Sequence, residues 1–301
     1  MASIVITPMN APLGAQVEGL DLCYPLGEAV RSTLRQALLD HLVLMVHDQA
    51  LDDDTQYRFA RCFGRPAPVR SGPSRDDASR EVLLVANVTQ PGARSVLGDG
   101  AMDFHIDQCY CEAPVKATTL HALEVPARVG DTVFINGYLA YDALPESMKR
   151  RIFRLNAVNA YDTERNLMLR VRPPRTDAPH WTHPMVRVHP DTGRRSIFFN
   201  RLMTDCIEGM SRAASDALLG RLFELTEQQR FMYQHRWRVG DLLVWDNRCT
   251  LHGRTDFDPA ERRKLQRVAL SDESLQTAGR ATAPRVVNCA GDGVVTGSFR
   301  G

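Results

Sequence analysis

Trp245-Asp-Asn-Arg-Cys-Thr-Leu-His252, then a polar turn over 253–260, then Glu261-Arg-Arg-Lys-Leu-Gln-Arg-Val268: the reading of this stretch decides the fold. The turn holds Gly253, Pro259, Asp256 and Asp258, which is loop chemistry. The apolar run before it, Leu242 to Trp245, reads as a buried strand. After it, Arg263, Leu265, Arg267 and Ala269 alternate with Lys264, Gln266 and Val268. Successive strand side chains point to opposite faces, so Arg263 and Arg267 are expected on one face, about 13 Å apart at roughly 3.3 Å per residue. If that face is interior, two guanidinium groups are buried. Arginine cannot shed its charge, so such burial calls for a bound anion, and its planar fork suits a carboxylate.

Working outward, Phe104-His105-Ile106-Asp107 places a histidine and a carboxylate at i and i+2. On a strand both would face the same way. With His252 they make the two-histidine, one-carboxylate set of a non-haem Fe(II) facial triad. If the strand continued past Asp107, Cys109 and Cys111 would join the same face, raising a rival zinc cluster. Four ligands so close on one strand cannot wrap a tetrahedral ion, and His252 would have no role. Core or pocket-lining thiols are the better reading. His183 and His189 flank another strand and read as hydrogen-bonded structural histidines.

The chain has 301 residues, a formal net charge of +1 and 44% hydrophobic residues, enough for one large domain with a substantial core. Near-neutral charge offers nucleic acid or a membrane surface no electrostatic footprint. No apolar run is long enough to span a bilayer, and the N-terminus lacks a signal-peptide pattern. Seven cysteines without framework spacing suggest a reduced, cytoplasmic protein.

Strands are expected around the turn at Asn10–Gly14, at 42–46, 82–88, 118–123, 133–135, 183–189, 196–199, 231–238 and 242–245. Helices are expected near 27–40, from Asp52 to about Phe63, from Asp142 through Leu155 with Pro145 in the first turn, and from Ser211. Residues 66–103 and 160–182 lack clear periodicity and read as long loops over the site, the first a lid. Residues 271–301 are poor in large apolar side chains and read as a C-terminal extension. Many short strands, few long helices and ligands on separate strands point to a mainly β domain spanning 1–301, with flanking helices around a double-stranded β-helix, or jelly roll.

These motifs together resemble the taurine dioxygenase/2,4-dichlorophenoxyacetate dioxygenase family (TauD/TfdA-like) of Fe(II)- and 2-oxoglutarate-dependent oxygenases. The resemblance rests on His105-Ile-Asp107, Gly130-Asp-Thr132, Trp245-Asp-Asn-Arg-Cys-Thr-Leu-His252, and Arg263 with Arg267, and more weakly on Pro12–Asp21. It runs from about residue 4 to about residue 272. It implies Fe(II) on His105, Asp107 and His252, and 2-oxoglutarate and O2 as cosubstrates. It further implies that Arg263 and Thr132 hold the distal carboxylate of 2-oxoglutarate, while Arg267 faces an anionic substrate. Neither His183 nor His189 matches a ligand position of the family. Related halogenases lack the carboxylate ligand, so Asp107 favours hydroxylation. Cys109 and Cys111 depart from the small hydroxyl residues or aromatics that the family more often has there. The expected partner is a small carboxylate or sulfonate, and the expected assembly a homo-oligomer. The competing readings are a non-catalytic jelly-roll sensor of metal and a small acid, and a zinc hydrolase. Both leave Arg267 and Thr132 unexplained.

Overall fold

The structure, a computed structural model, describes residues 4–67, 82–87, 100–161 and 178–271. Most of the first expected loop, the centre of the second and all but the first residue of the C-terminal extension lie outside the described residues.

Two antiparallel sheets face each other. The larger is ordered Val5–Pro8, Ala15–Glu18, Val43–Val46, Leu242–Asp246, Ala117–Glu124, Lys264–Ser271, Arg65–Pro66, with Val82–Ala86 also paired to Lys264–Ser271. Its one parallel pairing joins Ala15–Glu18 to Val43–Val46. The smaller runs Met232–His235, Thr132–Asn136, Thr250–Arg254, Met102–His105. One face of each sheet closes the sandwich. Leu243, Trp245, Leu120, Ala122 and Leu265 of the large sheet meet Phe134 of the small one in a common core. The opposite parity of the large sheet, Leu242, Val244, Val268 and Leu270, packs outward under the helices Glu28–His41 and Asp53–Ala60. Outward residues of the small sheet, Ile135 and Leu251, pack with Leu218, Leu219 and Leu222 of the helix Arg212–Thr226. This is a jelly-roll core with helices on both flanks.

Local chemistry sets the helix ends. Asp52 accepts from the Thr55 backbone while Thr55 returns a bond to Asp52, a capping box. Ser211 caps the helix at 212 as expected. Two helical expectations need correction. The helix from Asp52 stops at Ala60, short of Phe63. A separate unread helix, Gly137–Asp142, precedes the one expected over 142–155, which is only Glu146–Ile152. Asn136 starts the first directly from a strand, accepting from the backbone of Tyr138 and Leu139. Pro145 is the extended N-cap residue of the second, not part of its first turn. Among the strands unread as such are Asn156–Ala160 and Thr204–Ile207; His180–Pro184, which pairs with the first, begins inside the segment expected to be loop. Among the described residues, no helix is long and apolar enough to cross a membrane.

Candidate active site

His105 is the last residue of its strand, and the ladder register sets it directly opposite His252. Their rings lie 4.1 Å apart between centroids. Asp107 is not on a strand, contrary to expectation: the chain leaves the sheet after His105 and turns, with Gln108 at a φ of 54°. The turn still delivers the carboxylate. Asp107 Oδ1 lies 3.7 Å from His105 Nε2 and 3.9 Å from His252 Nε2. The same turn carries Cys109 away from the triad into the core, where Asn200 donates to its Sγ. Burial pushes that thiol up to about 12, so it is a protonated, structural group.

The turn is gripped from a distance. The Asn247 side chain accepts from the Asp107 backbone N–H and donates to the backbone carbonyls of Asp107 and Val115. Its neighbour Asp246 is held by Arg248 and by His189 Nε2 at 3.0 Å. Burial alone would raise the Asp246 carboxyl, but these donors hold it down at about 2. His189, Asp246 and Cys249 therefore cluster like metal ligands without being suited to the role. Both carboxylate oxygens are taken, and burial keeps the thiol protonated. His189 is structural, as is His183, whose Nε2 donates to the Cys111 carbonyl.

His105, Asp107 and His252 are all buried. Burial is the main cause that lowers both histidines, so both stay neutral. His105 Nδ1 faces the Asp103 carbonyl at 3.1 Å. That acceptor places the proton on Nδ1 and leaves the Nε2 lone pair toward the cluster. Burial raises the Asp107 carboxyl, but the Arg267 guanidinium above all, with the Thr118 hydrogen bond, outweighs it and keeps it ionised. Two neutral imidazoles and one carboxylate, with ligand atoms within 4.8 Å of one another, suit a borderline divalent metal such as Fe(II). Asp107 Oδ2 is already engaged by the Thr118 hydroxyl at 2.7 Å and by Arg267 Nη2 at 2.8 Å, which leaves Oδ1 toward the histidines.

The arginine pair enters differently from the single strand face expected. Arg263 precedes the strand Lys264–Ser271, and a register shift falls between Lys264 and Leu265. Both guanidinium groups are nevertheless drawn in. Arg263 is 3% exposed, and its Nε donates to the Gly130 carbonyl. Gly130 has a φ of +87°, and a Cβ there would meet the Arg263 side chain at 3.4 Å. The glycine of the Gly-Asp-Thr motif thus serves a left-handed turn and a close approach together. Burial, with Arg254 beside it, lowers Arg263 to about 9, outweighing the nearby Asp131 carboxylate, which raises it. Thr132 lies buried two residues beyond Gly130. This corner can hold a carboxylate.

Sequence reasoning missed Arg254, Asn247 and Thr118. Arg254 could have been found, being two residues beyond His252 on the same strand face. Asn247 lies inside the quoted motif, but nothing local shows that it reaches Asp107. Thr118 carries no local signal.

The family model described as taurine catabolism dioxygenase TauD, TfdA family matches residues 6–269. The chain is 32% identical over 289 residues to the alpha-ketoglutarate-dependent 2,4-dichlorophenoxyacetate dioxygenase of Cupriavidus pinatubonensis, covering 91% of this chain and 99% of that protein. It is 32% identical to the alpha-ketoglutarate-dependent sulfate ester dioxygenase of Pseudomonas putida, covering 89% of each. Among solved structures, AAD-2 in complex with Mn(II) and N-oxalylglycine superposes with a TM-score of 0.76 at 27% identity, covering 90% of this chain and 98% of that one.

Proposed function

This chain belongs to the TauD/TfdA family, and on that premise we propose that it hydroxylates a small organic anion, a carboxylate or sulfonate, releasing succinate and carbon dioxide. It is an Fe(II)- and 2-oxoglutarate-dependent dioxygenase. The iron is assigned to His105, Asp107 and His252, the distal carboxylate of 2-oxoglutarate to Arg263 and Thr132, and the anionic group of the substrate to Arg267. When bound, the iron and 2-oxoglutarate supply the activation of dioxygen. The protein's residues do the rest. The triad fixes one face of the metal, and the Asn247 grip holds Asp107 in place. The two arginines orient anions.

The observation that carries the anionic substrate is Arg267. Its Nη2 is buried and lies against Asp107 Oδ2, yet makes no aligned hydrogen bond. A guanidinium with a donor to spare beside the metal ligand suits a second anion. The relatives named above act on 2,4-dichlorophenoxyacetate and on sulfate esters, both anions. The test is a panel of carboxylates, sulfonates and neutral isosteres, scored by dioxygen uptake and succinate, with wild type and Arg267→Leu. The expected result is an anionic best substrate whose KM rises at least about tenfold in the variant, with more succinate formed per product. Iron affinity is measured in the same variant, because Arg267 also touches Asp107. A neutral best substrate, or an unchanged KM, overturns the reading. A sensor without catalysis would show no dioxygen uptake on any member of the panel.

A further inference from the structure

Thr132 has a hydroxyl whose direction is set by a neighbour. The indole of Trp237 is buried, and its Nε1 lies 3.0 Å from Thr132 Oγ1. An indole N–H can only donate, so the threonine oxygen accepts in this bond. The hydroxyl's own hydrogen must then go elsewhere, and no described residue takes it. Thr132 stands across the ladder from Arg254, and two residues upstream the Gly130 carbonyl anchors Arg263 Nε.

We propose that Trp237 is a positioning residue for the cosubstrate: by donating to Thr132 Oγ1, it makes that hydroxyl an obligate donor toward the distal carboxylate of 2-oxoglutarate. This rests on the assignment of Thr132 and Arg263 made above. Without the indole N–H, the hydroxyl is free to rotate and turn a lone pair toward the carboxylate, which repels it. Fixing the direction before binding removes that cost, which is preorganisation. It also sets selectivity, because a corner built only of donors accepts a carboxylate and rejects a carboxamide end. The indole is itself held in place. Its ring meets His235 edge to face at 4.6 Å. His235 is fixed between the Tyr233 hydroxyl and Asp241 Oδ2, and the Arg238 backbone N–H also donates to that oxygen.

The test is a double-mutant cycle on binding, read by calorimetric titration of the anaerobic Fe(II)-loaded protein with 2-oxoglutarate. Trp237→Phe keeps the packing and drops the N–H. It is expected to weaken 2-oxoglutarate about threefold to tenfold, the worth of one neutral hydrogen bond. In a Thr132→Val background the same substitution is expected to add less than about twofold, because the hydroxyl through which it acts is gone. An unchanged affinity in Trp237→Phe, or an equal loss in both backgrounds, overturns the proposal. If Thr132→Val alone leaves affinity unchanged, the cosubstrate assignment itself fails and this inference falls with it. A second measurement does not depend on the Trp237 variant folding. In Zn(II)-loaded protein labelled with 15N-tryptophan, the indole N–H signal displaced by Thr132→Val is expected to shift on adding 2-oxoglutarate. Its indifference to 2-oxoglutarate counts against the proposal.

Discussion

A buried guanidinium cannot neutralise itself, so Arg263 calls for an anion when the site is working. Among the described residues its side chain has the Gly130 carbonyl and the Phe257 ring as partners. A charge-assisted bond to a carboxylate contributes on the order of 1.5–3 kcal/mol. Arg263→Ala is therefore expected to weaken 2-oxoglutarate about tenfold to a hundredfold in an anaerobic titration, with iron affinity far less changed. An unaltered 2-oxoglutarate requirement would place the clamp elsewhere. His183 gives a prediction of a different kind at the same scale. Burial, with Arg187 nearby, lowers it to about 4. Between its ordinary value and that one, the unfolded chain takes up a proton that the folded chain refuses. Stability contributed by the neutral ring is complete above pH ~6.5 and is lost as pH falls toward 4, by about 3 kcal/mol in all. His183→Asn should flatten the denaturation-midpoint profile over that window; an unchanged slope in the variant would assign the pH dependence to other groups.

At the scale of elements, the site depends on a turn held by a side chain 140 residues away. Asn247 occupies three backbone groups with one amide, two of them on Asp107. Asn247→Ala leaves buried donors and acceptors unpaired, which costs about 1–3 kcal/mol. It should also loosen iron about tenfold to a hundredfold, as loss of a partner behind a metal ligand does. Equilibrium denaturation and a metal-competition assay read the two effects separately. Loss of stability with intact iron affinity would make Asn247 a structural residue only. This grip also explains why the i, i+2 reading named two residues that do converge, but through the wrong geometry. His105 and Asp107 were expected on one continuous strand, but the chain bends between them. Sequence alternation cannot register that bend, because the force that makes it comes from the other end of the chain.

Across the whole molecule, binding in the proposed site should stabilise the fold. The triad and Arg263 join strands of both sheets, so ligands held there tie the sandwich together. At a hundredfold excess over Kd, a ligand adds about 2.7 kcal/mol. Fe(II) under anaerobic conditions should raise Tm by several degrees, and 2-oxoglutarate should raise it further only when metal is present. In Arg263→Ala the metal increment should remain and the 2-oxoglutarate increment shrink. A 2-oxoglutarate increment of full size after chelation of the metal would contradict a shared site.

By itself the amino-acid sequence pointed to the jelly roll, because short strand-forming stretches with turns between them, and the scarcity of long helices, are local properties. It also marked His105 and Asp107 as candidate ligands by residue type and close spacing, and His252 by residue type within its motif; that all three meet came only from the fold. Helix starts at Asp52 and Ser211 were legible as local properties too: a cap is made by residues within three or four positions. Only the tertiary structure decided that Asp107 lies in a turn and that Asn247 holds it. The pairing of Arg267 with Asp107, the dependence of Arg263 on a glycine at 130 and the support of Thr132 by Trp237 came from the same source. Each joins residues more than a hundred positions apart, across strands whose register is set by the packing of two sheets. A side chain's local sequence specifies its face, and only the folded ladder specifies what stands opposite.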